Sequence, residues 1–290
     1  MGTDVSIEAI GPDPALLDAA LAAAEAELRR VEDVMTSWRD SPLTRMNAKA
    51  GTGWQSIPPE LARMIGRGLA VGELTDGAFD ITFASVGKLW DFKAKPPVRP
   101  SPEEIAKALE AVGYQKVELD LDGARIRLPA GARIGLGGIA KGFGVDRAMA
   151  VLMEHGVENG VVNAGGDMKV LGTKFGQPWR IAVKHPRDRS QVLAMVPLSN
   201  TCMVTSGDYE RFFEYEGKRY HHILDPRTGY PATGGMSVTV IAPDAAFADA
   251  LATALSVMGA EKGIPLVESL DRVECLIVDM QGQVTRSSGL

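Results

Sequence analysis

The sequence predicts an α+β fold, with mixed, largely antiparallel sheets flanked by helices, in a single domain over 1–290 that carries an inserted lobe around 93–130. Short antiparallel-looking strands fill the second half of the chain and helical patterns lie at its margins, an order that argues against a parallel doubly wound sheet. A Pro- and Lys-rich stretch, Lys93 to Pro102, reads as a surface linker and marks the boundary of the lobe.

Val5 to Ile10 alternates as a short strand, and Asp13 opens a long Ala/Leu/Glu-rich segment to about Met35 whose apolar positions recur at helical spacing. Pro58 and Pro59 precede a second helical pattern, 60–74, because proline is tolerated in a first helical turn. Ser101, with Glu104 three residues on, is an N-cap for a short helix. Residues 117–128 alternate with period two around Asp122-Gly123, which predicts a hairpin. A helical pattern then runs through Val145, Ala148, Met149 and Leu152. Strands are expected at 160–163, 168–171, 179–183, 192–197, 202–204 and 237–241, and helices at 245–257 and 261–270. There is no internal repeat and no low-complexity segment.

Composition narrows the function. Hydrophobic residues make up 45% of the chain and charged residues 23%, the balance of an ordinary soluble globular protein. The formal charge of −6 comes without a basic run, which argues against nucleic acid as a partner. Cys202 and Cys275 stand alone, so neither a zinc ribbon nor a disulfide scaffold is expected. No apolar stretch approaches the roughly 20 residues of a membrane span, so no transmembrane segment is expected, and no charged-then-apolar leader opens the chain as given.

Five stretches concentrate chemistry. Residues 205–231 hold two of the four histidines, His221 and His222, followed by Asp225-Pro226-Arg227-Thr228-Gly229. Proline fixes φ there, glycine supplies positive φ, and Asp225 can bond the backbone two residues on. The stretch reads either as a strand ending in a tight turn or as one side of a site. Gly135-Leu136-Gly137-Gly138-Ile139-Ala140-Lys141-Gly142 lies between a strand and a helix, where backbone amides and the helix N-terminus can hold an anion; a close-packed turn is the plain alternative. Asn163-Ala164-Gly165-Gly166-Asp167 repeats that theme, with a locally closed hairpin turn as its plain reading.

On the helix expected from Ala245, Phe247, Leu251, Ala254, Leu255 and Met258 share one side, while Asp249, Thr253 and Ser256 share the other. Asp249 and Thr253 are neighbours four apart, and their oxygens suit a hard cation such as magnesium, which takes few carboxylates and completes its shell with water or phosphate. Ala246, Ala248, Ala250 and Ala252 mark the helix as covered, since an exposed face would carry Lys and Glu. Thr75-Asp76-Gly77-Ala78-Phe79-Asp80-Ile81-Thr82 is a turn into an extended segment, where Phe79 either anchors a loop or faces a planar ligand.

The order of these motifs resembles the ApbE family, the FAD:protein FMN transferases. The resemblance spans essentially the whole chain: Met1-Gly2-Thr3, Met35-Thr36-Ser37-Trp38, Thr44-Arg45-Met46-Asn47, Gly77-Ala78-Phe79-Asp80, the 137–142 and 163–167 stretches, 205–231, and Ala248-Asp249-Ala250-Leu251-Ala252-Thr253. It implies an ApbE-like fold with FAD in a cleft between lobes, and a magnesium-dependent enzyme that moves the FMN half of FAD onto a Thr or Ser of a target redox protein and releases AMP. It implies metal ligation by the Gly138 carbonyl, Asp249 and Thr253. FAD contacts map to Met1, Trp38, Ala78, Phe79, Asp80, Lys141, His222 and Ile223, with Asp225 close by. The aspartate commonly found two residues before the glycine pair is Gly135 here; that departure bears on a polar contact to the adenine or ribose end and leaves the metal seat untouched. A family export signal, if one was removed, would place the protein in the periplasm or at the inner membrane; otherwise the cytoplasm is expected.

In this reading Asp249 and His222 carry the chemistry. Asp249 seats the metal that stabilises phosphate charge, and His222 removes the proton of the incoming hydroxyl. A metal-dependent FAD pyrophosphatase and a non-catalytic FAD-binding protein are the alternatives.

Overall fold

A computed structural model describes residues 2–188 and 190–290. In chain order its helices and strands are β1 (Val5–Ile10), α1 (Pro14–Met35), α2 (Pro42–Ala48), β2 (Gln55–Ser56), α3 (Pro59–Leu74), α4 (Ala84–Gly87), α5 (Pro102–Leu109), β3 (Glu118–Asp120), β4 (Arg125–Arg127), α6 (Ala140–Glu154), β5 (Asn159–Ala164), β6 (Asp167–Leu171), β7 (Trp179–Lys184), β8 (Val192–Leu198), β9 (Thr201–Gly207), β10 (Phe212–Tyr215), β11 (Lys218–His221), β12 (Ser237–Ala242), α7 (Ala245–Glu268), β13 (Glu274–Val278) and β14 (Val284–Arg286).

Local signals set most of these boundaries. Asp13 caps α1 by accepting from the amides of Ala15 and Leu16 at 3.0 and 3.2 Å. Ser101 and Glu104 form the reciprocal capping box of α5, at 3.2 and 2.8 Å. The β3–β4 hairpin forms where alternation places it, but its left-handed residue is Ala124 (φ 45°) rather than Gly123, whose amide instead donates to Asp120 Oδ1 at 2.9 Å. β4 also pairs with β2, so the stretch 93–130 is hydrogen-bonded to chain that precedes it.

The main sheet is antiparallel throughout, in the order β1-β5-β6-β9-β12-β13-β14. Helices α1, α6 and α7 cover one face, burying Ala24, Leu28, Val145, Leu152, Leu251 and Leu255 against Val162, Val204, Val240 and Ile277. The β7–β8 ribbon covers part of the other face through Trp179, Val183 and Leu198. A second core gathers Leu43, Leu61, Met64, Ile65, Ile126, Leu128 and Ile134 beside Ala246, Ala250 and Ala254 of α7.

Helix α7 therefore belongs to both cores. Its alanines at 246, 248, 250, 252 and 254 are all fully buried, as expected for a helix that is apolar on every side. By length and composition alone it is the one described helix able to cross a membrane, yet here it packs between the main sheet and the second core. Gly259 (φ 73°, ψ 179°) breaks it, between the two helices read from the sequence. Helices α2 and α4, strand β2, the β10–β11 hairpin and strands β13 and β14 are additions to the expected elements. Glu274-Cys275-Leu276-Ile277-Val278 is a short apolar run that periodicity cannot separate from a helix fragment.

Candidate active site

A cavity of about 610 Å³ opens where the N-terminus of α6, the middle of α7, the end of β9 and the loops at 78–84 and 222–226 converge. Trp38, Ala78, Phe79, Asp80, Gly138, Lys141, His222, Ile223, Asp249 and Thr253 all line it, and Met1 lies outside the described residues. Five segments far apart in sequence thus meet at one surface. Ser256, grouped with Asp249 on the helical wheel, points elsewhere and donates to the Ala252 carbonyl at 2.9 Å.

The floor is electrostatic. Helix α6 follows Ile139, which gives no side-chain cap, and its first-turn amides find partners elsewhere: Ala140 N donates to the Leu136 carbonyl at 2.8 Å and Phe143 N to the Ile139 carbonyl at 3.1 Å. One of them, Gly142 N, donates to Asp249 Oδ2 at 3.2 Å, while Asp249 Oδ1 lies 3.4 Å from Lys141 Nζ. Lys141 also ion-pairs with Asp167, whose side chain is fully buried and whose Oδ1 has no hydrogen-bond partner among the described residues. Burial works against the Lys141 charge, but Asp167 and then Asp249 outweigh it and hold the ammonium above the usual lysine range. Burial, reinforced by the Asp249 carboxylate and opposed by Lys141, raises the Asp167 carboxyl.

One helical turn beyond Asp249, Thr253 Oγ1 lies 3.5 Å from Ser206 Oγ. A Cβ on Gly138 would come within 3.1 Å of the same hydroxyl and 3.2 Å of Phe79, so a side chain there would have to push Thr253 or Phe79 aside by a few tenths of an ångström. Gly142 is tighter still: a Cβ there would lie 2.0 Å from the Ala245 carbonyl oxygen. Gly135 is enclosed in the same way, with Ala84 and Phe83 at 2.9 and 3.0 Å from a built Cβ, so a larger side chain there would require residues 83 and 84 to shift.

Gly165 and Gly166 (φ 62° and 97°) make a two-residue hairpin turn between β5 and β6, and Gly166 N donates to Asn163 Oδ1 at 3.0 Å. The turn is thus structural, and it also delivers Asp167 beneath Lys141. Asp80 is spent locally: its oxygens accept from Thr82 N, Thr82 Oγ1 and Tyr114 N at 2.7, 2.6 and 2.8 Å. What it can offer a ligand is loop shape rather than a free carboxylate. Trp38 is 59% exposed at the cavity mouth.

The 225–229 turn closes as its residue types require. Arg227 N donates to Asp225 Oδ1 at 3.0 Å, the Arg227 guanidinium grips both carboxylate oxygens at 2.8 Å, and Gly229 has φ 73°. Asp225 is not part of the lining, whereas Leu224 and Pro226 are. His221 is the structural histidine, its Nε2 paired with the Ala232 carbonyl at 3.0 Å. His222 lines the cavity with Nδ1 buried and unpartnered among the described residues.

Burial, helped by the nearby Arg211 charge, pushes the His222 imidazole down to about 4. Its folded value lies below its unfolded value of about 6.5, so it contributes stability that is present above pH 6.5 and lost as pH falls towards 4. Thermal melts across that window are expected to show His222→Gln removing up to about 3 kcal/mol of the acid-side loss. An unchanged acid slope would place His222 in solvent.

Residue-type reasoning passed over Ser206, Arg211, Lys88 and Arg133 as individuals, although all line the cavity. Only Ser206 and Arg211 lay within a stretch already singled out, and nothing in their spacing distinguishes them from ordinary surface polar residues.

Fold and cavity together define an α+β protein with a ligand-sized cleft where the start of α6, Lys141, Asp249 and Thr253 meet. The ApbE family model matches residues 1–277. The chain is 34% identical over 276 residues to the FAD:protein FMN transferase of Haemophilus influenzae, covering 91% of this chain and 80% of that protein. It is 35% identical over 282 residues to the FAD:protein FMN transferase of Treponema pallidum, covering 91% and 78%. The crystal structure of the ApbE protein from Thermotoga maritima superposes with a TM-score of 0.90 at 38% identity, over 99% of this chain and 94% of that one. The chain belongs to the ApbE family.

Proposed function

We propose that this chain is a magnesium-dependent FAD:protein FMN transferase. The observation that carries the reading beyond family membership is the placement of Asp249, Thr253 and Gly138 beside Lys141 at the start of α6, inside one cavity of ligand size. Asp249, Thr253 and the Gly138 carbonyl are the proposed metal seat. Magnesium suits it on donor chemistry, since the donors are all hard oxygens, and two carboxyl groups face one ammonium in a buried setting. When bound, the ion would neutralise phosphate charge and stabilise the charge that builds up as the phosphoryl group moves.

The chain's own groups do the rest. Lys141 and the positive end of the α6 dipole attract the pyrophosphate, and Phe79, Ala78 and Ile223 present apolar surface to the flavin end. Trp38 offers an exposed ring at the mouth. The acceptor hydroxyl oxygen bonds to the FMN phosphorus, the bond to the AMP oxygen breaks, and the hydroxyl proton passes to His222. That imidazole is uncharged at pH 7, and the burial that pushes it down to about 4 makes it a weak base, so the role requires bound ligand charge to raise it.

The acceptor is a redox protein modified on Thr or Ser. Incubating the purified chain with FAD and magnesium, with and without a flavinylation-competent acceptor domain, tests the reading. Flavin fluorescence covalently on the acceptor, with AMP in solution, is the expected result. AMP and free FMN regardless of acceptor would instead identify a pyrophosphatase, and intact FAD a carrier.

A further inference from the structure

We infer that Asp167 is a positioning residue that holds the Lys141 ammonium off Asp249 and so keeps that carboxylate available to a divalent cation. The inference rests on the proposed metal seat and concerns a residue outside it. Lys141 stands between two carboxyl groups, one on the middle of α7 and one at the first position of β6. Its closer partner is Asp167; the approach to Asp249 Oδ1, at 3.4 Å, is at the long limit of a hydrogen bond. Asp249 spends its second oxygen on Gly142 N, so Oδ1 is its one acceptor not committed to a backbone group.

Three features separate this arrangement from an ordinary buried ion pair. Asp167 is fully buried and absent from the cavity lining, so it touches the ligand space only through Lys141. Its Oδ1 is left without a partner among the described residues, a costly state that a merely structural bridge would avoid by using both oxygens. Its mount is also rigid, because the register Ala164↔Asp167 fixes it directly after the Gly165-Gly166 turn, in a strand paired on both sides. Without that anchor the nearest counter-charge for the half-buried ammonium is Asp249, and a direct pair there would compete with any cation.

The test is Mn2+ uptake by the purified full chain without FAD, followed by electron paramagnetic resonance, with thermal melts in parallel. Asp167→Asn should weaken Mn2+ binding at least about tenfold, the scale expected when a group supporting a metal ligand is lost. Lys141→Met should bind Mn2+ no more weakly than wild type. The double variant Asp167→Asn/Lys141→Met should recover to the Lys141→Met affinity, because the competing ammonium is gone. Asp167→Asn with wild-type affinity, or a double variant as weak as Asp167→Asn, overturns the inference. If Asp167→Asn does not fold, Lys141→Met binding more weakly than wild type overturns it alone. Wild-type protein that takes up no Mn2+ brings down the metal seat itself, an outcome distinct from equal binding by wild type and Asp167→Asn.

Discussion

Asp249→Ala is expected to lower magnesium-dependent FMN transfer by about a thousandfold or more, on the order of 4 kcal/mol of transition-state stabilisation. Two losses combine. The proposed cation loses its only charged ligand, and the buried Gly142 amide loses the acceptor it meets at 3.2 Å, which costs about 1–3 kcal/mol of stability by itself. Asp249→Asn separates them, because its amide oxygen can still accept from Gly142 N while the negative charge is gone. In-gel flavin fluorescence on an acceptor, titrated with magnesium, should therefore show both variants inactive, with Asn melting nearer to wild type than Ala. Wild-type-like flavinylation by Asp249→Ala would sink the metal assignment.

Gly142→Ala should be the most damaging single methyl group in the molecule. Its Cβ would lie 2.0 Å from the Ala245 carbonyl oxygen and 2.8 Å from the Ala246 amide nitrogen, both main-chain atoms that no rotamer change can move. Relief requires α6 and the start of α7 to separate, which opens the buried contact around Val145, Ala148, Ala245 and Ala248. A loss of about 3 kcal/mol or more is expected, seen as a fall in melting temperature of roughly 6 °C or more for a chain of this size. A melting temperature within a degree or so of wild type would mean that the two helices do not meet this closely.

Much of the frame was legible because its signals are local. The Asp13 cap, the Ser101 and Glu104 box, the alternation of β1 and the break near Gly259 each depend on residues within a few positions. The covered face of α7 was legible too, since a helix face of alanines without Lys or Glu would leave apolar surface in water unless another element packed on it. What sequence could not supply was meeting across distance. Asp167 reads as half of a turn until β6 is placed beneath Lys141, and Ser206 becomes a neighbour of Thr253 only once β9 is seated against α7. His221 and His222 are indistinguishable as letters; the Ala232 carbonyl claims the first and leaves the second facing the cavity.

Helix α7 is shared by two cores and carries alanine on every side, so it has no slack volume to absorb change. Any larger side chain at 246, 248, 250, 252 or 254 must push on one core or the other, and Asp249 and Thr253 ride on the part that shifts. Sequence drift in either core is thereby exposed to selection on turnover as well as on folding, and this helix is where the two pressures cannot be told apart.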